Sequence, residues 1–292
     1  MSYDLTSPLI AQLAISGLGM GFLFALIAIG LTLIYGVMGV VNFAHGEFLM
    51  LAMYATYIAF ATWHIDPVIS LPFVTAGMFV FGIVVYYALI RRVMRGTMYS
   101  QIFATFGLMV FMQAAAQFFM GADYYAVRNS WLSGAITFDK LTLPIPQLAS
   151  IVGATLGTAL LYWYVFKTAA GRSLRAAAQD PQAAATLGID VDHMYALAWG
   201  LGAACVGVAG SLLANFYAVY PRVGVLFVLL SYVAVALGGF GSLHGALVAG
   251  VCIGVLQMMA GFFFDSELKY VSVYLLYFVV VLVRPRGLFG RL

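Results

Sequence analysis

Long apolar runs, separated by short polar or glycine- and proline-bearing breaks, dominate this chain. Nine hydrophobic segments are legible, near residues 9–36, 46–63, 67–90, 99–120, 146–166, 193–217, 223–240, 243–264 and 269–284. Most approach or exceed the length of about 20 residues that a helix needs to cross a bilayer, whereas barrel strands run to about 9–11 residues of alternating polarity. The pattern predicts an all-α polytopic membrane protein with about eight or nine transmembrane segments, some of them broken helices, in one domain over residues 1–292. The second segment reads as a broken partner of the first, and the seventh and eighth as sharing a bend. Eight crossings plus a partial one fit the pattern as well as nine.

Composition narrows the class. The chain is 64% hydrophobic and 8% charged, with a mean hydropathy of +1.04. Soluble domains are about 45–50% apolar and about 25% charged, so this chain could not cover a water-facing surface. Disorder is excluded by the same numbers. Thirteen Lys/Arg against ten Asp/Glu give only +3, with no basic stripe for nucleic acid. Cys205 and Cys252 sit inside apolar runs and read as small packing residues. Met1 to Ile10 lacks the basic region of a cleavable signal, so insertion is expected to rely on the first span.

Charge placement gives an orientation. Arg91, Arg92 and Arg95, then Lys167, Arg172 and Arg175, then Arg284, Arg286 and Arg291 follow the third, fifth and last segments. Placing these inside leaves Arg128, Lys140, Arg222 and Lys269 outside, with the N-terminus outside and the C-terminus cytoplasmic. Asp180, Asp190 and Asp192 share the inner side, while Asp4, Asp66, Asp123, Asp139, Asp265 and Glu267 fall outside. Only Glu47 stands within the spanning part.

Two loops are long. The outer one, about 121–147, carries aromatics and prolines. The inner one, about 167–192, has internal order. Arg172 to Gln179 is strongly helix-forming, and Asp180-Pro181 supplies an N-cap followed by proline at the first helical position. Gly188 fits a left-handed C′ position with apolar Ile189 behind it. Two short helices meeting at Asp180 are predicted, either lying on the headgroups or forming a knob for a cytoplasmic partner.

The segment from Leu31 to Glu47 is the chemically unusual one. Gly36 and Gly39 are expected to loosen the first helix, and Asn42 to cap the next, with His45, Gly46 and Glu47 in its first turn and a half. A carboxylate in hydrocarbon costs at least about 2.5–3.5 kcal/mol, so Glu47 should be paired, protonated or facing a polar cavity. Asn42, His45 and Glu47 either line or gate a path, or satisfy backbone groups freed at the break. No further cluster completes a metal set.

A second break, Leu237-Gly-Gly-Phe-Gly-Ser-Leu-His-Gly245, carries Gly238, Gly239, Gly241 and Gly245 and suggests a tight bend with close helix contact. His244 occupies the third-glycine place of a dinucleotide fingerprint, which excludes that motif. Small-residue spacings recur at Gly17/Gly21, Gly153/Gly157, Gly241/Gly245 and Gly250/Gly254. The lysines, Lys140, Lys167 and Lys269, follow Asp139, Phe166 and Leu268, so no P-loop is present and no nucleotide site or cofactor is expected on this chain.

These motifs carry a family resemblance. Ala28-Ile-Gly-Leu-Thr-Leu-Ile-Tyr-Gly36 running into Asn42-Phe-Ala-His-Gly-Glu47 resembles the hallmark of the LivH-type permeases of branched-chain amino acid ABC importers. Arg175 to Ile189, Ala236 to Ser242 and Val283 to Gly290 resemble the family's inner loop, glycine bend and C-terminal signature, in the expected order. His244, where proline or a small residue is expected, departs from it. The resemblance implies a helical fold related to ribose-type importer permeases, in a bacterial inner membrane. It implies a second, LivM-type permease, two cytoplasmic ATPases that hold ATP and Mg, and a periplasmic or lipid-anchored binding protein. The inner loop, with Arg172, Arg175, Asp180, Pro181, Leu187 and Gly188, would be the ATPase-coupling element, and the loop after Gly121 would receive the binding protein. Branched-chain amino acids are the first expectation for the solute, with urea, short amides or aromatic carboxylates as alternatives. The rivals from other classes are an ion-coupled secondary transporter, which would need a midplane coordination site in both halves, and a membrane-embedded enzyme using His45, Glu47 and His244.

Overall fold

The computed structural model describes residues 7–138, 141–264 and 268–290. The orienting charges Asp4, Asp139, Lys140, Asp265, Glu267 and Arg291 lie outside the described residues.

Each of the nine hydrophobic segments is a helix, with ends within four residues of the expected ones. They are α1 (Ser7–Met38), α2 (His45–Trp63), α3 (Pro67–Val93), α4 (Met98–Met120), α5 (Ile145–Lys167), α8 (Val191–Leu213), α9 (Val223–Gly238), α10 (Leu243–Phe263) and α11 (Leu268–Val283). Between α5 and α8 lie the two short helices α6 (Ala169–Gln179) and α7 (Pro181–Thr186). Six described helices, α1, α3, α4, α5, α8 and α10, are long and apolar enough to cross a membrane by length and composition. The other three are 16 to 19 residues long.

Helices α1 and α8 form the centre. A helix that is apolar on every side must be buried or lie in lipid. In α1 the residues from Leu23 to Ile34 are almost wholly inaccessible. Helix α1 packs along α10 through small residues: an added β-carbon at Gly254 would overlap the backbone of Gly21, and one at Gly250 the backbone of Ala25. Without a hydrophobic drive between helices in lipid, such backbone contact is the main source of packing energy. Helix α8 meets α3 in the same way, Gly82 against the Trp199 carbonyl and Gly207 against Thr75. Gly254→Leu should therefore force α1 and α10 apart at a cost of about 1–3 kcal/mol. A thermal-unfolding scan of the purified protein checks this; an unchanged Tm would contradict the α1–α10 seam.

The outer loop is more ordered than the sequence suggested. Ala135–Phe138 and Leu141–Pro144 form an antiparallel pair, and the Tyr125 and Val219 backbones bridge. Asp66 caps α3 through the Val68 N–H (2.9 Å) and also accepts the Trp131 N–H (2.7 Å), fastening this loop to the bundle. A second unanticipated feature is a π-helical turn, Tyr86–Ile90, inside α3.

Candidate functional site

The break between α1 and α2 differs in detail from the expected one. Helix α1 runs through Gly36 to Met38, so Gly36 does not interrupt it; it gives room for the Gly241 backbone, whose Cα would lie 3.2 Å from an added β-carbon. Gly39, at φ +68°, turns the chain out of the helix. Asn42 is not the N-cap of α2. Its Oδ1 accepts the Ala44 N–H (3.1 Å) and its carbonyl the His45 N–H (3.3 Å), an Asx turn ahead of the helix, and the capping position falls to Ala44 without a side-chain cap. Irregular backbone at membrane depth is tolerated where protein covers it, and here Val40, Asn42 and Ala44 are buried.

His45 and Glu47 are both fully buried, 0% exposed, yet they serve different seams. Residues two apart on a helix do not share a face. His45 Nε2 meets the Ile27 carbonyl of α1 at 3.1 Å, in a space that Gly30 leaves open. Glu47 Oε1 accepts the Gln113 Nε2–H of α4 at 2.8 Å. Gly46, between them, lies against α9: a β-carbon there would overlap the Gly224 carbonyl. Gly46 is thus a contact glycine rather than a helix breaker.

Asn42 Nδ2, His45 Nδ1 and Glu47 Oε2 are buried with no hydrogen-bond partner. An unsatisfied buried polar atom costs about 1–3 kcal/mol, and three within six residues is a concentration that packing does not require. Such a cost is characteristic of sites that bind or move. No group of three or more His, Cys, Asp or Glu able to hold a metal occurs among the described residues.

Helix α4 is the loosest part of this region. Only Thr105 and Met112 of it are buried. Among the described residues its side-chain hydrogen bonds to the rest of the bundle both end on the break: Thr105 Oγ donates to the Val41 carbonyl (3.0 Å) and Gln113 to Glu47. Sequence reasoning missed Thr105 and Gln113, for they lie 64 and 66 residues from their partners.

At the second break, Gly239 and Gly241 take φ +97° and +80°. Gly238 and Gly245 bring the end of α9 and the start of α10 into backbone contact. The C-terminal segment folds onto this bend, Leu288 N–H to the Leu237 carbonyl (2.8 Å) and Phe289 N–H to that of Gly238 (3.1 Å). His244 sits edge-on to Tyr162, with ring centroids 4.9 Å apart.

The inner loop is a compact knob. Asp180 ends α6 and caps α7, its Oδ1 accepting the N–H groups of Gln182 (2.9 Å) and Ala183 (3.0 Å) ahead of Pro181 at the first turn. Gly188, at φ +82°, donates to the Ala185 carbonyl, and Ile189 to that of Ala184, which is the Schellman pattern. Leu187 at the tip is 80% exposed. Arg172 and Arg175 lie on α6, both exposed. The exit of the knob is tied to α3: Asp192 accepts the Tyr86 hydroxyl (2.5 Å) and pairs with Arg91 (2.5 Å), at the π-helical turn. This tie was also missed by the sequence reading.

Residues 13–283 match the family described as "Branched-chain amino acid transport system / permease component". The chain is 30% identical, over 96% of its length and 95% of theirs, to the high-affinity branched-chain amino acid transport permeases LivH of Escherichia coli K12 and BraD of Pseudomonas aeruginosa. A fructose import permease of Rhizobium meliloti is 31% identical over 42% of this chain and 37% of its own. No solved structure matches. The bundle of apolar helices, its glycine-mediated seams and this match over nearly the whole chain agree: the protein is a multi-pass membrane protein and belongs to the family of permease components of branched-chain amino acid transport systems.

Proposed function

We propose that this chain is the membrane-spanning permease subunit of a binding-protein-dependent ABC importer in a bacterial inner membrane, moving branched-chain amino acids. The observation that carries the reading is the match to LivH and BraD over nearly the full length of both chains. A knob with an exposed leucine at its capped tip agrees with it, as does the absence of a P-loop. On this reading ATP and Mg reside in two partner ATPases that seat the knob. A second, homologous permease completes the path, and a periplasmic binding protein docks on the outer loop around Gly121 to Gln147. The choice of solute rests largely with that binding protein.

Within the subunit, α4 is the gating element, held against the break by Thr105 and Gln113. Interhelical hydrogen bonds in membranes are worth about 0.6 kcal/mol on average, weak enough to open and close during a cycle. Glu47→Gln keeps the shape but exchanges a charge-capable acceptor for an amide facing the amide of Gln113. Uptake should fall several-fold with normal membrane expression; wild-type uptake of radiolabelled leucine would leave Glu47 a structural role only.

Affinity purification of the full chain from its native membrane tests the assembly. Co-purification of ATPase subunits and a second permease is expected. Stable homo-oligomers that transport on an ion gradient without ATPases would replace the ABC reading with a secondary transporter.

A further inference from the structure

One cavity is lined by groups to which the transport reading gives no ligand, among them Arg175 of the knob. Its volume is about 420 Å³, and it lies where the end of α1, the end of α5, helix α6 and the α9–α10 bend converge. Lys167, Arg172, Arg175, Arg284 and Arg286 lie on or beside those elements, on the side that the positive-inside bias makes cytoplasmic. Arg175 and His244 both line the cavity, and no described acid does. The Arg175 guanidinium lies over the Phe166 ring, 5.1 Å from its centroid.

The wall of the cavity adds further donors. Ser242 spends its hydroxyl on the Gly245 N–H (3.1 Å), so the N–H groups of Leu243 and His244 are left without an intrahelical acceptor at the positive end of α10. Thr32 is an independent sign. It lines the cavity, is 0% exposed, and its Oγ is buried with no partner. A threonine within a helix commonly bonds back to the carbonyl four residues earlier; this one keeps its hydroxyl free. A fixed cation, an imidazole, free amides and a spare hydroxyl form an anion-binding set. Partly exposed Phe240 and Phe289 stand beside it.

We propose that this cavity binds a phosphate group, that of an anionic phospholipid in the cytoplasmic leaflet. Basic pockets between helices on that side suit such headgroups, and aromatic rings suit the interface beside them. Free phosphate shares the chemistry but has no use for the aromatic rings. A headgroup held by Thr32, Arg175 and His244 joins α1, α6 and α10, and so steadies the knob against the bundle. The inference requires that the chain spans a membrane with this end at the cytoplasmic face, and it does not depend on which subunits assemble with it.

The full chain, extracted with whatever subunits accompany it and then delipidated, is titrated with phosphatidylglycerol, phosphatidylcholine or inorganic phosphate while native mass spectrometry counts bound molecules. Phosphatidylglycerol should bind in preference to phosphatidylcholine. The double variant R175Q/H244Q should weaken it about tenfold or more. T32V, which preserves the side-chain volume, should weaken it about threefold and carries the test if the double variant misfolds. R92Q, basic at the same end but outside the cavity, should leave binding unchanged. Equal binding of the two lipids, or R92Q weakening it as much as R175Q/H244Q, would overturn the proposal. Binding of inorganic phosphate with the same variant pattern, without lipid preference, would overturn the lipid assignment and place the ligand in the cytosol.

Discussion

Replacing Leu187 by Asp and Gly188 by Pro together is expected to abolish ATP-driven uptake while the helical bundle still inserts. Leu187 is the exposed apolar tip of the knob, and none of the described residues covers it. If an apolar groove of an ATPase receives it, a carboxylate there is buried unpaired, at a cost of several kcal/mol. Even about 2 kcal/mol corresponds to roughly a thirtyfold loss of docking affinity. The second change removes the device that shapes the tip. Proline cannot adopt φ +82°, and it lacks the N–H that Gly188 donates to the Ala185 carbonyl. The spans should be indifferent, because α7 is six residues long and its buried part is confined to Ala184. The readout is the ratio of uptake to ATP hydrolysis in vesicles at matched expression. Hydrolysis that persists without uptake indicates uncoupling, and loss of both indicates lost docking. Unchanged uptake would remove the knob from the mechanism.

Gly46→Leu should have a comparable effect for a different reason, through the fold. A β-carbon at Gly46 would overlap the Gly224 carbonyl and crowd Val228 Cβ at 2.9 Å, and Gly224 is equally closed to substitution from its own side. The obstruction is backbone on backbone, so no rotamer change relieves it. Overpacking costs about 1–3 kcal/mol where side chains can yield, and more is expected where they cannot. The start of α2 would be pushed off α9, carrying His45 away from the Ile27 carbonyl and Glu47 away from Gln113. Size-exclusion profiles and unfolding temperature should both deteriorate, with transport lost alongside. A stable, fully active Gly46→Leu protein would contradict the α2–α9 contact, and with it the placement of the break.

What was legible in the sequence was what neighbouring residues dictate. Apolar run length located nine helices, because in a membrane every backbone group must be satisfied within the segment. The knob was legible because Asp180-Pro181 and Gly188-Ile189 act within a few residues of themselves: the cap, the proline position and the left-handed glycine all occur as expected. Glycine spacing marked the α1–α10 seam, where Gly17, Gly21, Gly250 and Gly254 meet. Asn42 shows where local rules fall short. Its side chain does hold the start of α2, but from an Asx turn two residues early, since the chain must first climb out of α1.

The rest was illegible because it depends on distant partners. Glu47 stood out as a lone carboxylate, yet no signal pointed to Gln113 as the group facing it. Asp192 was one of three inner acids, indistinguishable by position from Asp190. The structure separates them, Asp190 capping α8 at the His193 N–H and Asp192 tying Tyr86 and Arg91. The π-helical turn at Tyr86–Ile90 has no compositional mark at all. The antiparallel pair in the outer loop, Ala135–Phe138 with Leu141–Pro144, has strands of four residues, too short for alternation to distinguish them from the loop around them.

The central claim is that this chain forms the path of an importer driven by other subunits' ATP. The most direct measurement is uptake of radiolabelled leucine into proteoliposomes holding the purified complex, with its binding protein outside and ATP and Mg sealed within or omitted. The account predicts uptake only with internal ATP and the binding protein together, and its loss in the Leu187→Asp, Gly188→Pro variant. Uptake without ATP, driven by a proton or sodium gradient through this chain alone, would contradict it.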